Sequence, residues 1–429
     1  MPASNPQPVP TSGQSERGRS AADAAGTVRE PVGVLIVVPT LDVGAADAGA
    51  VALAGILGKA GYRVSVVSRA GRLVAEVRAA GAEFVPLNLD SNNPVVILRN
   101  AIALKRVARE CNCAVIHAHG RAAAWSALLA ARLVGVPLLT TWYKGFREQN
   151  LFKRLYNGIM ARGDRVIAVS EQIAQLVKDR YGTPGERITV LPVSIDLERF
   201  APAQVAHERS ETVRRAWGIG RDTKVILVVG RLLRRKGHHV VVRAVARLKE
   251  RGFKDFLCVF VGEDRGRTHY TGELWDLVLA TGTTDVIRMA APVADMPAAY
   301  AVASVVVSAA VQPEGLQRTL LEAQAMERPV IVSDLGAGPD VVLTPPTVPE
   351  GRITGLRFSA GDDAELATVL LRLFSMPEPT RRAIGARGRD WMRSHFAPAL
   401  ISEQTLRLYR EVAGGGAVAM PLPRQKRAI

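Results

Sequence analysis

The sequence predicts an α/β protein made of two doubly wound parallel-sheet units in tandem, facing each other across a cleft. Three observations predict this. Short, wholly apolar β-branched runs alternate with helical patterns, and strands that are apolar throughout and separated by helices belong to a parallel sheet covered on both faces. The alternation pauses once, over residues 192–223, and then restarts. The chain has 429 residues, 48% hydrophobic and 22% charged, which suits a globular protein of two or three domains and excludes a mainly disordered, collagen-like or coiled-coil one.

In chain order, strands are expected at 34–38, 64–67, 84–87, 115–116, 138–141, 166–169 and 189–191, with helices at about 49–60, 94–110, 121–134, 151–161 and 171–181. Residues 192–223 carry many charges, two prolines and no strand pattern, as a linker does. Strands then follow at 225–229, 256–261, 286–289, 305–308 and 330–332, separated by helices at 237–250, 272–280, 297–302 and 318–327. The expected domains are two Rossmann-like units over 32–205 and 206–395, followed by a helix over 396–413 that crosses back to the first domain. Residues 1–31 and 414–429 read as disordered tails, the second with a basic end. Ligands of doubly wound units bind beyond the carboxyl ends of the strands, so the cleft between two such units is the natural site.

Charge narrows the partners. There are 56 Lys and Arg against 40 Asp and Glu, a net +16, which suits an anionic partner without choosing among nucleic acid, membrane and phosphorylated substrate. The three cysteines, Cys111, Cys113 and Cys258, are too few for a disulfide framework and point to a reduced, cytoplasmic protein. Residues 1–31 hold no apolar signal-peptide core. The longest apolar stretch, 122–139, is interrupted by Arg132 and too short for a membrane span. The sequence has no Asp-x-Asp, His-Glu-x-x-His, paired Cys-x-x-Cys, phosphate-loop Gly-Lys-Ser/Thr, or Gly-x-Gly-x-x-Gly after its first strand. A P-loop ATPase and a dinucleotide oxidoreductase thereby lose most of their support.

Three features of the second unit carry chemistry. Gly230-Arg231, followed by Lys236-Gly237, lies between a strand and a helix; a glycine admits close approach of a ligand, and cations beside free helix-start amides suit a diphosphate. A basic turn on a basic protein is the plainer account of the same residues. Gly262-Glu263-Asp264 ends the next strand, the right place for a ligand in any α/β fold. Glu314-Gly315-Leu316-Gln317 leads to Glu322, and a spacing of eight at about 100° per residue puts the two glutamates near one helical face. Such a pair can hydrogen-bond hydroxyls at both ends of a sugar nucleotide, or simply complement the helix dipole and face solvent.

The order of these pieces resembles the retaining GT-B glycosyltransferases of family 4, also called glycosyl transferases group 1. The resemblance covers most of residues 33–412 and includes Ser194-Ile195-Asp196, with Phe200 four residues on, at the close of the first domain. It implies two Rossmann-like domains and, residue by residue, a set of roles. Arg231 and Lys236 neutralise the donor diphosphate, and Glu314 binds sugar hydroxyls. The amides of Gly315, Leu316 and Gln317 lie near the phosphates, and Glu322 holds the ribose. Gly230, Gly262 and Asp264 complete the donor side. The resemblance implies no metal and no other cofactor, in keeping with the missing Asp-x-Asp. It implies a nucleoside-diphosphate sugar donor, UDP being the commonest nucleotide of the family.

The chain departs from that pattern at several points. Its first loop reads Gly44-Ala45-Ala46-Asp47 where relatives have two adjacent glycines and then a glutamate. Tyr143 stands in the place of a histidine, leaving His117 and His119 as other candidates to line the cleft, or as structural hydrogen-bonders. Leu316-Gln317 replaces the usual Phe-Gly, and Glu327 a usual glycine.

On the acceptor side, residues 144–165 interleave Lys144, Arg147, Lys153, Arg154, Arg162 and Arg165 with Leu151, Phe152, Leu155, Tyr156, Ile159 and Met160 at helical spacing. A basic amphipathic helix lies on an anionic membrane, or turns its apolar stripe to the core. The expected activity is sugar transfer, with retention, to an anionic glycan or glycolipid such as lipopolysaccharide, at the inner face of the cytoplasmic membrane. Its rivals are an epimerase or hydrolase on the same scaffold, a non-catalytic relative, and a nucleic-acid binder. The last is disfavoured because aromatics are only 5% and no recognisable module is present.

Overall fold

The computed structural model describes residues 31–413, except residues 43, 146–149, 221, 265 and 267. The two expected tails (but for residue 31), and Arg147 of the basic stretch, lie outside the described residues. The first half runs β1 (Gly33–Thr40), α1 (Ala45–Lys59), β2 (Arg63–Arg69), α2 (Val74–Ala79), β3 (Glu83–Pro86), α3 (Pro94–Glu110), β4 (Cys113–Ala118), α4 (Arg121–Val134), β5 (Leu138–Trp142), α5 (Leu151–Asn157), β6 (Arg165–Ala168), α6 (Glu171–Tyr181) and β7 (Ile188–Val190). The second runs α7 (His207–Trp217), β8 (Lys224–Val229), α8 (His238–Glu250), β9 (Phe256–Val261), α9 (Thr268–Ala280), β10 (Ile287–Ala290), α10 (Met296–Val302), β11 (Val305–Ser308), α11 (Arg318–Ala325), β12 (Val330–Ser333), α12 (Gly338–Val341), β13 (Gly355–Phe358), α13 (Asp363–Ser375), α14 (Glu378–His395) and α15 (Pro398–Ala413).

Every strand pairing is parallel. The seven-stranded sheet has the order β3-β2-β1-β4-β5-β6-β7, and the six-stranded one β10-β9-β8-β11-β12-β13. Each order reverses at one point, between β1 and β4 and between β8 and β11. At such a switch point adjacent loops diverge and open a crevice. The loops after β1, β4, β8 and β11 therefore become the walls of the site. Each sheet is buried on both faces: Val34–Val38 and Val225–Leu227 are fully covered, which explains why these strands lack polar alternation.

Several segments differ from the expectation. The 192–223 stretch is not a bare linker, because it contains α7, whose Val213 and Trp217 enter the second core alongside Tyr300 of α10. That core also takes in Ile195 and Phe200, so its packing starts ahead of residue 206. Many charges on α7 conceal its two buried side chains from a pattern reading. The strand β13 and helices α2, α12, α13 and α14 were not separately foreseen. After α14, Ile195 N–H donates to the Phe396 carbonyl (2.9 Å), and α15 packs on the first domain, with Leu408 and Tyr409 in its core.

Candidate active site

The β8–α8 loop begins with Gly230 at φ +151°. A single turn of 3₁₀ helix, Arg234–Lys236, then leads to Gly237 at φ +72°. A Cβ on Gly237 would overlap the Ala309 carbonyl just after β11, so this glycine lets the basic turn close on the neighbouring loop. The consequence is an ion-pair cluster: Lys236 Nζ lies 2.5 Å from Glu314 Oε2, and Arg235 pairs with Glu314 Oε1. The Glu314 side chain is buried. Burial, with Arg235 and Arg231 beside it, pulls the Lys236 ammonium down to about 8, while the Glu314 carboxylate works in the opposite sense.

Glu314 is held by its backbone. Its carbonyl accepts from Ala337 N–H (3.0 Å), and Gly336, at φ +70°, presses against its main chain where a Cβ would collide. Beyond Gly315, α11 starts at Arg318 with Gln317 as its N-cap residue. The Gln317 side chain does not cap the helix; its Oε1 accepts from Ser308 Oγ at 2.6 Å. The first turn of α11 thus presents amides and its dipole toward the cleft, which suits an anion. A Cβ on Gly315 would overlap the Tyr143 carbonyl oxygen, so the two domains meet here. They also meet where Gln172 N–H donates to Asp340 Oδ2 (2.9 Å).

The facing wall comes from the first domain. Gly44, Ala45 and Ala46 at the start of α1, Gly120 and Arg121 at the start of α4, and Tyr143 and Lys144 after β5 line it. Asp47 does not project from this loop. It accepts from Thr40 Oγ1 and from Asp42 N–H (3.1 Å), which closes the β1–α1 turn, and burial raises its pKa. The Tyr143 hydroxyl hydrogen-bonds His119 Nδ1 at 2.8 Å. A Cβ on Gly49 of α1 would overlap that hydroxyl, so Gly49 provides the room for the ring. Behind it His117 bridges Thr141 Oγ1 (2.7 Å) and Tyr409 OH (2.6 Å). Burial takes His119 down to about 3 and holds His117 well below its ordinary value; both are neutral at physiological pH.

Nine of the expected residues line one cavity of about 760 Å³: Gly44, Tyr143, Gly230, Arg231, Lys236, Glu314, Gly315, Leu316 and Gln317. Four stand off it. His119 lies behind Tyr143 in a small cavity of about 80 Å³. Gly262 is a packing position, since a Cβ there would overlap the Gly230 carbonyl. Asp264 accepts from Gly266 N–H (3.0 Å) and Thr271 Oγ1 (2.9 Å), closing its own turn. Glu322 accepts from the buried Tyr300 hydroxyl at 2.8 Å, with Arg318 at 3.7 Å, and burial raises its pKa. Glu314 also lies ahead of α11 rather than on it, so the helical-face argument for the Glu314–Glu322 pair does not apply.

Sequence reasoning missed Arg235, Arg121 and Lys144 as cavity residues. Arg235 is adjacent to Lys236 in the basic turn and was legible there. Arg121 follows a glycine at a helix start, a weaker signal. Lys144 was noticed only as part of a basic stretch. Its pKa is lowered by burial and then by Arg235, Arg121 and Arg231, and it makes no ion pair among the described residues. Cations from both domains therefore converge on the same space.

Two parallel-sheet α/β domains that close a cation-lined cavity over their switch points have the GT-B architecture. The comparisons with known proteins agree. The model of Glycosyltransferase Family 4 matches residues 48–199, and that of Glycosyl transferases group 1 matches residues 223–376. The chain belongs to this family 4, group 1 glycosyltransferase family and is an enzyme of that class. It is 29% identical over 311 residues to the D-inositol 3-phosphate glycosyltransferase of Thermobifida fusca, spanning 68% of this chain and 67% of that one. EpsF of Bacillus subtilis is 30% identical over 292 residues, spanning 64% and 68%. Among solved structures, a glycosyltransferase from Rickettsia africae superposes with a TM-score of 0.82 at 26% identity, over 90% of this chain and all of that one. HepE of Anabaena, solved in complex with UDP, has the same fold, with a TM-score of 0.76 at 18% identity over 89% of this chain and all of HepE.

Proposed function

We propose that this enzyme transfers one sugar, with retention, from a nucleoside-diphosphate sugar, UDP-linked, to an anionic cell-envelope glycan or glycolipid such as lipopolysaccharide. The observation that carries the reading is the cavity itself. Arg231, Arg235, Lys236 and the uncapped start of α11 face it from the second domain, and Arg121 and Lys144 from the first. The donor diphosphate lies against the second-domain cations and the amides of Gly315, Leu316 and Gln317. Glu314 accepts from the sugar hydroxyls. Glu322, held by Tyr300, stands one helical turn beyond the cavity-lining Arg318 and is the residue that accepts from the ribose in this scheme. UDP is supported by HepE's complexes with UDP and UDP-glucose. An envelope acceptor is supported by one neighbour of this fold, WaaG, which is involved in lipopolysaccharide biosynthesis, and its negative charge by the phosphorylated inositol in the name of the Thermobifida relative.

In the transfer, an acceptor hydroxyl oxygen bonds the sugar's anomeric carbon on the face from which the diphosphate departs. The bond from that carbon to the phosphate oxygen breaks, and the hydroxyl proton passes to the departing oxygen. Negative charge accumulates on the diphosphate, where preorganised cations and amides lower the barrier. No metal takes part in this scheme. Arg121 and Lys144 hold the acceptor's negative charge on the opposite wall. The domain over 32–205 serves the acceptor and that over 206–395 the donor. The enzyme works in the cytoplasm, in peripheral contact with the anionic inner face of the membrane. No helix among the described residues is long and apolar enough to cross a membrane.

The test is thermal stabilisation by a panel of UDP, GDP and ADP sugars, in chelator, with Glu322→Ala as the comparison, followed by transfer assays that assign the product anomer. A shift with UDP sugars that the substitution removes, together with a retained anomer, supports the reading. Absence of a shift with every donor overturns it.

A further inference from the structure

We infer that α3, α4 and α5 together form a membrane-docking face that seats the cleft against an anionic bilayer, which sharpens the proposed peripheral contact and rests on that reading. Large apolar side chains that point to solvent are concentrated here. On α3, Val95, Leu98 and Ile102 share one helical face and are 70%, 54% and 58% exposed. On α5, Leu151, Phe152 and Leu155 are 77%, 83% and 58% exposed, whereas Ile159 and Met160 just beyond them are fully buried. The stretch foreseen as either membrane-facing or core-facing is therefore both, divided near Tyr156. Leu129 and Leu133 of α4, spaced by one turn, add to the same surface. Among the described residues, the other large apolar side chains of comparable exposure are Trp275 and Leu279, on α9.

The three helices are one surface. Ser126 Oγ of α4 donates to the Ile97 carbonyl of α3 (3.2 Å). Tyr156 of α5 stacks on Trp125 of α4, with ring centroids 6.2 Å apart, and donates to Asn92 Oδ1 just ahead of α3 (2.5 Å). Residues 94–110, 121–134 and 151–162 carry nine Lys and Arg against the single acid Glu110, a net +8, half of the chain's +16. Glu110 is itself paired with Arg106.

Exposed leucine and phenylalanine tips interleaved with cations match the headgroup zone of an anionic bilayer, where apolar tips enter the acyl boundary and Lys and Arg meet lipid phosphates. Charge argues against a second copy of this chain as the occupant, since the pairing would set one +8 face on another. The base of the surface continues into the active cavity, which Asn92, Arg121 and Tyr156 also line. A docked bilayer would lie beside the acceptor wall, so a lipid-borne acceptor reaches the cavity without leaving the membrane.

The test is flotation of the full chain with phosphatidylcholine vesicles, with and without about one third phosphatidylglycerol. The expected result is salt-sensitive binding to the anionic vesicles, weakened at least about tenfold by Leu151→Asp with Phe152→Asp and by Arg154→Ser with Arg162→Ser. Leu279→Asp on α9 should bind like the parent. All of these positions are exposed, so stabilisation by UDP sugar should be unchanged in every variant. Equal binding to neutral vesicles, equal binding by the variants, or no binding while UDP sugar still stabilises the protein would overturn this inference alone. Self-association removed by the apolar substitutions, without vesicle binding, would reassign the face to a second copy. Loss of donor stabilisation by the parent protein would instead strike the proposed reaction.

Discussion

Lys236 Nζ sits 2.5 Å from Glu314 Oε2, joining the turn after β8 to the turn after β11 across the switch point of the second sheet. Arg235 holds the other carboxylate oxygen. The carboxylate thus sets the positions of two cations that a diphosphate needs, and it is itself buried. Glu314→Gln keeps the shape and removes the charge. UDP should bind as tightly or more tightly, since the cations lose an internal rival. Transfer should fall by about 10²–10³, the usual scale for one lost transition-state contact. Calorimetry with UDP beside kcat for transfer checks both halves, and parallel losses in binding and turnover would refute the division.

The lowered Lys236 sets a pH dependence. Its ammonium titrates near 8 rather than at the ordinary lysine value. Below that pH the cation is present to meet a diphosphate. As pH rises through it the free enzyme loses the charge, and binding an anion then requires taking up a proton. UDP affinity should accordingly fall by up to about tenfold per pH unit above 8. Proton uptake should be visible as a buffer-dependent enthalpy. Lys236→Arg, which stays charged, should flatten the profile. A wild-type affinity that is level between pH 7 and 9.5 would contradict the assignment.

The cations of the first domain should separate from those of the second in kinetics. Arg121→Ala or Lys144→Ala should raise the KM for a phosphorylated acceptor about 10- to 100-fold, the scale of one lost charged hydrogen bond. Affinity for UDP should change little. Arg121 also donates to Asn157 Oδ1 (2.6 Å) and lies over the Tyr156 ring, so thermal stability must be compared with the parent's. Arg121→Lys should restore part of the acceptor affinity. If UDP binding falls in parallel, the two cations belong to the donor site instead.

Much of this architecture is legible because its causes are local. Apolar runs such as Val34–Val38 write a buried parallel strand directly into the chain, and Gly230 through Gly237 write a tight cationic turn. What stays hidden depends on pairs distant in sequence. Tyr143 looks like a disruptive replacement until Gly49 is seen to leave space for it. Gly262 looks like a ligand-binding glycine, yet it is required by the Gly230 carbonyl. Asp264 and Asp47 look like site acids and instead close their own turns. Glu327 stands where the resemblance has a glycine and adopts the left-handed backbone that glycine favours, at φ +56°. Its carboxylate lies 3.8 Å from Arg389, the guanidinium that ties α14 to the Phe200 carbonyl.

Tyr409 and His117 are 292 residues apart in sequence and 2.6 Å apart in space. The tyrosine is fully buried on α15, its ring edge-on to Tyr62, and the imidazole is neutral and bonded at both nitrogens. Tyr409→Phe preserves the packing and deletes the hydroxyl, leaving one imidazole nitrogen buried without a partner. That should cost about 1–3 kcal/mol and lower the Tm by several degrees. One side chain, Thr141, links this bond to the cavity, which it lines from the first domain. Donor affinity should hold, because no second-domain residue of the cavity is touched. Thermal unfolding beside UDP binding distinguishes the outcomes. An unchanged Tm would show that α15 is held by its apolar contacts alone, and lost donor binding would show that the crossing helix sets the cleft geometry.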